Sequence, residues 1–179
     1  MTQRYLTKSR FKLARECPAK LFYTGKKEYA DQKIEDSFLE ALADGGFQVG
    51  ALAKCYYPDG VEVESLDYEQ ALAETNKLLE KDKVVIFEAA FRHQNLFCRV
   101  DILVKDGKHL EIIEVKAKSF ESHKGVEGFL IKSGAIDGNW LEYLEDAAFQ
   151  KYVLQHAYPD FLVSACLMLA DKDCRCPTD

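Results

Sequence analysis

Four side chains near the middle of the sequence have types and spacings that could hold a cation and activate water: Glu88, Asp101, Glu114 and Lys116. Asp106-Gly107 falls between two β-rich runs, Leu96 to Lys105 and His109 to Lys116, which is a strong hairpin signal. A two-residue turn there would pair Lys105 with Lys108, Leu103 with Leu110 and Asp101 with Ile112. Strand side chains alternate, so Asp101, Ile112, Glu114 and Lys116 would share one face, with Asp101 and Glu114 as diagonal neighbours. Two carboxylates on one face of an apolar hairpin are costly unless something compensates them. A divalent cation does so, and oxygen ligands with open water positions suit Mg²⁺ or Mn²⁺. Lys116, two residues beyond Glu114, could orient a metal-activated water or steady charge on a pentacoordinate phosphate. Glu88 closes the run Val84-Val85-Ile86-Phe87 and could add a third carboxylate. Each residue alone could equally be a surface Glu or half of a Glu–Lys pair. Their order around one hairpin is what points to a site.

The elements that must position them follow from periodicity and breakers. A helix starts at Thr7 and runs to residue 23, with Phe11, Leu13, Ala14 and Cys17 inward and Pro18 interrupting it or opening a second turn. Residues 34–54 read as a longer helix, with Phe38, Leu42, Val49, Leu52 and Ala53 in the core and Gly45-Gly46 as a place to bend. Tyr56 to Gly60 is a turn, Val61 to Glu64 a short strand, and Asp67 caps a helix to about Lys81. Val84 to Arg92 begins the strand meander. Ser119 to Asn139 has poor periodicity and reads as a long loop with one short helix near 126–133. Leu141 to His156 is a helix with Leu144, Ala147, Ala148, Tyr152 and Val153 or Leu154 buried, and Phe161 to Leu169 is a final strand. The order predicts a mixed α/β fold.

The chain's 179 residues, 47% hydrophobic and 30% charged, suit one soluble globular domain with a real core. No run approaches a membrane span and no apolar signal region follows the N-terminus, so a cytoplasmic protein without membrane association is expected. The net charge of −6 argues against a generic nucleic-acid coat. Residues 1–27, however, carry Arg4, Lys8, Arg10, Lys12, Arg15, Lys20, Lys26 and Lys27 against Glu16 alone. Such a segment is either a solvated helix face or a phosphate-binding patch, with Lys8, Arg10, Lys12 and Arg15 as its candidates. The histidines, His93, His109, His123 and His156, have no paired ligand spacing; His123 with Lys118 could approach a substrate.

Phe87-Glu88-Ala89, Arg99-Val100-Asp101 and Glu114-Val115-Lys116, with Gln150 following in order, resemble the PD-(D/E)XK nuclease core in its RecB-like branch. The opening Leu6-Thr7-Lys8-Ser9-Arg10-Phe11 to Cys17-Pro18 and the stretch Ala148 to Leu154 resemble a bacterial RecB-like family of unknown function that continues into a longer C-terminal part. The Cas4-type exonucleases are a more distant likeness. The resemblance covers nearly the whole chain. It implies a restriction-endonuclease-like mixed sheet flanked by helices, as one domain over residues 1–179, with a further C-terminal domain or partner protein outside this chain. It also implies Asp101, Glu114 and the Val115 carbonyl as metal ligands, Glu88 as a further acid, Lys116 as the catalytic lysine, Gln150 near the site, and DNA as substrate. Tyr152 lies two residues after Gln150 where the branch spaces four, which favours core packing for it. The early-helix histidine of many relatives is absent: Gly46-Phe47-Gln48-Val49-Gly50 stands there, with Gln48 or Glu40 as partial substitutes.

Two other classes remain open. A degenerate nuclease fold would bind nucleic acid without cutting it, which the missing histidine favours. A cysteine-ligated iron–sulfur or zinc domain would draw on Cys17, Cys166, Cys174 and Cys176, but these lack paired spacing, so an iron–sulfur cluster is not expected. Cys55 and Cys98 complete a set of six, most of them expected as free thiols with several in the core.

Overall fold

The computed structural model describes residues 4–26, 28–29 and 37–175; Lys27, Cys176 and the side chains of Phe38, Glu40 and Leu42 lie outside the described residues. In chain order the elements are β1 (Leu6–Thr7), α1 (Lys8–Glu16), α2 (Pro18–Tyr23), α3 (Ser37–Lys54), β2 (Val61–Glu62), α4 (Tyr68–Leu79), β3 (Lys83–His93), β4 (Leu96–Asp106), β5 (His109–Phe120), a 3₁₀ segment (Ser122–Phe129), α5 (Gly138–Ala157) and β6 (Leu162–Asp171). The helix starts obey their caps. Thr7 accepts from the Arg10 N–H, and Asp67 accepts from the N–H groups of Glu69 and Gln70. The first helix is cut in two at Cys17, whose extended backbone precedes Pro18 in the first turn of α2.

The strands form an open mixed sheet in the order β2-β3-β4-β5-β6, with β1 added alongside β4. The β3–β4 and β4–β5 pairs are antiparallel, while β2–β3, β5–β6 and β1–β4 are parallel. One face carries the larger core, where Ile86, Phe91, Val100, Leu103, Leu110 and Ile112 meet Ala71 of α4 and Phe149, Val153 and Leu154 of α5. The other face packs Phe87, Ile102 and Ile113 against Ala53 of α3. The protein is therefore α/β, a mixed sheet flanked by helices. Among the described residues no helix is long and apolar enough to cross a membrane.

Several expectations need correction. The β4–β5 turn uses Gly107-Lys108, not Asp106-Gly107, because Asp106 pairs with His109. Gly107 has a φ of 55° while Lys108 is not among the positive-φ residues, so glycine takes the first loop position, as a II′ turn requires. Leu103 consequently pairs with Ile112, a register two places from the expected one. A slip of two preserves the faces, whereas a slip of one would invert them. Leu52 and Tyr152 are exposed, at 64% and 51%, and Ala148 is exposed too. α3 continues through Gly45-Gly46 without interruption, and β5 runs on to Phe120 through an irregularity between Lys116 and Ser119. The 119–139 loop holds its short helix earlier than expected, at Ser122–Phe129. Of the described cysteines only Cys98 is buried.

Candidate functional site

The site grows out of an irregularity shared by two strands. In β3, Ile86 faces α4 and α5, Phe87 faces α3, and Ala89 and Phe91 beyond Glu88 again face α4 and α5. In β4, Val100 and Leu103 both lie on the α4/α5 side with Ile102 opposite. The alternation thus shifts by one at Glu88 and at Asp101. These two positions lie across from each other, between the pairs Phe87–Ile102 and Ala89–Val100. Glu88 itself has a φ of 56°, a left-handed conformation that costs a non-glycine residue about 1–2 kcal/mol. The shift turns both carboxylate-bearing residues out of the regular pleat. Glu88→Gly should therefore raise the urea midpoint by an amount equivalent to about 1 kcal/mol with an unchanged slope, since the half-buried Arg99 contact it forfeits is long, at 3.3 Å, and Arg99 keeps the Val63 and Ser65 carbonyls.

Pairing of β4 with β5 ends at Ile102–Ile113, and β4 goes on to pair with β1 at Leu96 and Phe97. Asp101 stands at the split, and its Oδ2 accepts the Val115 N–H at 2.7 Å. It closes the ladder where the strands part. The N–H and C=O of one strand residue point to the same edge, so the Val115 carbonyl also faces this gap. Ile112, Glu114 and Lys116 share the α5 face as the sequence predicts, while Asp101 is turned into the gap by the shift in β4. Asp101, Glu88 and Val115 line a cleft of about 590 Å³ against α3, with Gly50, Lys54 and Glu62. A second depression, between Val61, Glu62 and the Lys77 end of α4, holds none of the other candidate residues.

Glu114 is fully buried. Its Oε1 accepts from Lys8 Nζ at 2.6 Å and Lys116 Nζ at 2.7 Å, and its Oε2 accepts from Gln150 Nε2 at 2.5 Å. Burial opposes ionisation of this carboxyl, but Lys8 and Lys116 outweigh it and hold its pKa below the usual value. Asp101 goes the other way. Burial first, then the nearby Glu114 charge, push its pKa up to about 6, against partial relief from Lys8 and the Val115 N–H. Lys116 is held charged: burial would lower its pKa, but Glu114 and Asp146 raise it on balance. Its Nζ donates to Asp146 Oδ2 at 2.8 Å. Glu88 instead meets Arg99, with Oε2 3.3 Å from Nε, while the Arg99 guanidinium is fixed by the carbonyls of Val63 and Ser65.

The structure brings Asp101, Glu114, Val115, Lys116 and Gln150 together and leaves Glu88 at the cleft wall. The basic residues of α1 pair with acids: Lys8 with buried Glu114, Lys12 with exposed Glu142 and with Asp146 at 3.7 Å, and exposed Arg15 with Glu145 at 2.7 Å. Arg10 donates to the Tyr5 carbonyl at 2.5 Å. All four have a hydrogen-bond or ion-pair partner within the protein, and Arg15 is the exposed one of the set. Lys118 donates to the Asn139 carbonyl, and His123 pairs with Asp173. Gln48 is exposed. Sequence reasoning missed Asp146 and the role of Lys8. The usable signal for Asp146 was its i, i+4 spacing from Gln150 on one helix.

Among the described residues no three His, Cys, Asp or Glu side chains converge as a metal-holding group. Mg²⁺, however, is commonly held by one or two carboxylates and keeps several waters. Asp101, Glu114 and the Val115 carbonyl match that donor set. A positive charge is already held at Glu114, since the Lys8 ammonium lies 2.6 Å from its Oε1. The residues present therefore fit a hard divalent ion. No family model matches the sequence, and no curated protein matches it.

Proposed function

We propose that this protein is a divalent-metal-dependent phosphodiesterase acting on DNA, with the site architecture of a restriction-endonuclease-like, RecB-like nuclease. The observation that carries the reading is the parting of β4 from β5 at Asp101, beside buried Glu114 and fully charged Lys116. Asp101, Glu114 and the Val115 carbonyl would hold Mg²⁺ or Mn²⁺, which when bound supplies Lewis acidity to a phosphoryl oxygen and a water of lowered pKa. Lys116, charged at every ordinary pH, orients the water and faces the developing negative charge as a donor; it does not serve as a base. Asp146 and Glu114 fix its ammonium from two sides, so little reorientation accompanies reaction. Gln150 fixes Glu114 in turn through its amide. Glu88 flanks the cleft that leads to Asp101 and, with Lys54, shapes the approach of a polyanion.

The test is Mn²⁺-dependent degradation of single- and double-stranded DNA by the purified chain. Lys116→Ala should lower the rate by about 10²–10³, the range for losing a donor aimed at developing charge. Equal rates in wild type and variant would remove the site from the reaction. A second reading is a nucleic-acid-binding module that no longer cuts. It draws support from the double engagement of Glu114 Oε1 by Lys8 and Lys116, and DNA binding without cleavage in Mn²⁺ would favour it. A cysteine-ligated centre has no comparable support: Cys17 is partly buried, Cys166 and Cys174 are exposed, and Cys176 lies outside the described residues.

A further inference from the structure

Lys8 differs from its neighbour Lys116 in how it is held. Lys116 is gripped by two buried acids, Glu114 and Asp146. The Lys8 ammonium has one ion-pair partner among the described residues, Glu114 at 2.6 Å, although an ammonium carries three donors. Its side chain is 24% exposed, which puts it at the edge of the site, whereas Glu114 is fully buried. It sits on the first residue of α1, and its charge reaches Asp101 as well as Glu114. The group around Glu114 is also short of donors. Asp146 Oδ1 and Gln150 Oε1 are buried without a hydrogen-bond partner among the described residues, which native interiors rarely tolerate. Of the two ammonium groups that share Glu114 Oε1, Lys8 is therefore the one with fewer acidic partners and the freer to exchange.

The geometry points to Lys8 as a resident counter-cation of the metal site, competing with the divalent ion for Glu114 and moving to a phosphodiester oxygen when substrate arrives. The inference rests on the metal-site reading and adds a regulation to it: metal and substrate load cooperatively. An empty cleft leaves Lys8 on Glu114 and the divalent ion weakly held. A phosphodiester offers the ammonium an anionic partner, leaves Glu114 Oε1 with Lys116 as its one remaining ammonium, and so favours the ion. By linkage the ion must strengthen phosphodiester binding by the same factor. Nothing covalent changes in the exchange.

The test measures free Mn²⁺ by electron paramagnetic resonance during titration of the full chain, with and without a short phosphorothioate oligothymidylate. In wild type the oligonucleotide should tighten Mn²⁺ binding about tenfold, within the usual range of coupling between two sites. Lys8→Met should bind Mn²⁺ about tenfold more tightly than wild type with no oligonucleotide present, and its response to the oligonucleotide should fall below about twofold. Lys8→Gln, which keeps a donor for Glu114 without the charge, should behave like Lys8→Met and serves if the methionine variant does not fold. Lys8→Arg should retain the coupling. Mn²⁺ binding no tighter in either neutral variant than in wild type overturns the counter-cation role and leaves the metal site standing. Absence of Mn²⁺ binding in wild type and in folded neutral variants overturns both.

Discussion

Asp101→Asn is expected to abolish the proposed metal-dependent hydrolysis while making the protein more stable. The two effects share one cause. Asp101 is an acid held mostly out of water beside another carboxylate, and its pKa stands at about 6 against an ordinary 3.8. The folded state therefore prefers the protonated acid more strongly than the unfolded chain does. Between about pH 4 and pH 6 the native state binds more protons, so stability falls as pH rises through that window. Above it the full cost of the buried charge is present. A rise from 3.8 to about 6 corresponds to about 3 kcal/mol, and partial solvent access reduces this to about 1–3 kcal/mol at pH 7. Asparagine removes the charge and can still accept the Val115 N–H through its amide oxygen. Melting curves should show a gain of about 2–4 °C per kcal/mol at pH 7 that vanishes near pH 4, with the cleavage rate down by about 10³ or more. A melting difference that is absent, negative or independent of pH would refute the account of Asp101.

This opposition explains why so much of the candidate site's arrangement could be read from sequence. A carboxylate in an apolar hairpin is conspicuous because it is unfavourable there, and Asp101, Glu114 and Lys116 stood out against runs such as Ile102-Leu103-Val104 and Ile112-Ile113. The hairpin register was misread by two places, yet the strand period of two kept Ile112, Glu114 and Lys116 on one face. What could not be read was the shift in alternation at Glu88 and Asp101, because no residue there is a glycine to mark a positive φ. α5 misled for a related reason. Its buried side includes Asp146 and Gln150 beside Phe149 and Val153, so its polar residues lie on the core face and an apolar-stripe search placed Ala148 and Tyr152 inward instead. The basic α1 was legible as charge but not as direction. Its partners, Glu114, Glu142, Glu145 and Asp146, lie more than a hundred residues away, and sequence alone does not show which acids a helix meets.

The same site should respond with the opposite sign at its other carboxylate. Glu114→Ala removes the anion on which Lys8, Lys116 and Gln150 converge; Lys116 keeps Asp146, while Lys8 loses its ion-pair partner. Truncating one partner of a buried ion pair costs about 3–5 kcal/mol, because the other charge stays behind unpaired. The pH dependence supplies the check on mechanism. Glu114 has a lowered folded pKa, so its contribution is present above the ordinary value of 4.5 and is lost as pH falls through the folded value. Urea unfolding should therefore show the deficit of Glu114→Ala in full at pH 7 and shrinking in acid, whereas Asp101→Asn shows its gain over the same approach to neutrality. Adding Lys8→Met to Glu114→Ala should restore about 1–2 kcal/mol, since one stranded ammonium is then gone; two independent sites would instead add their costs. A deficit below about 1 kcal/mol for Glu114→Ala, or strict additivity with Lys8→Met, would mean that this network contributes neither stability nor a charged scaffold for Lys116.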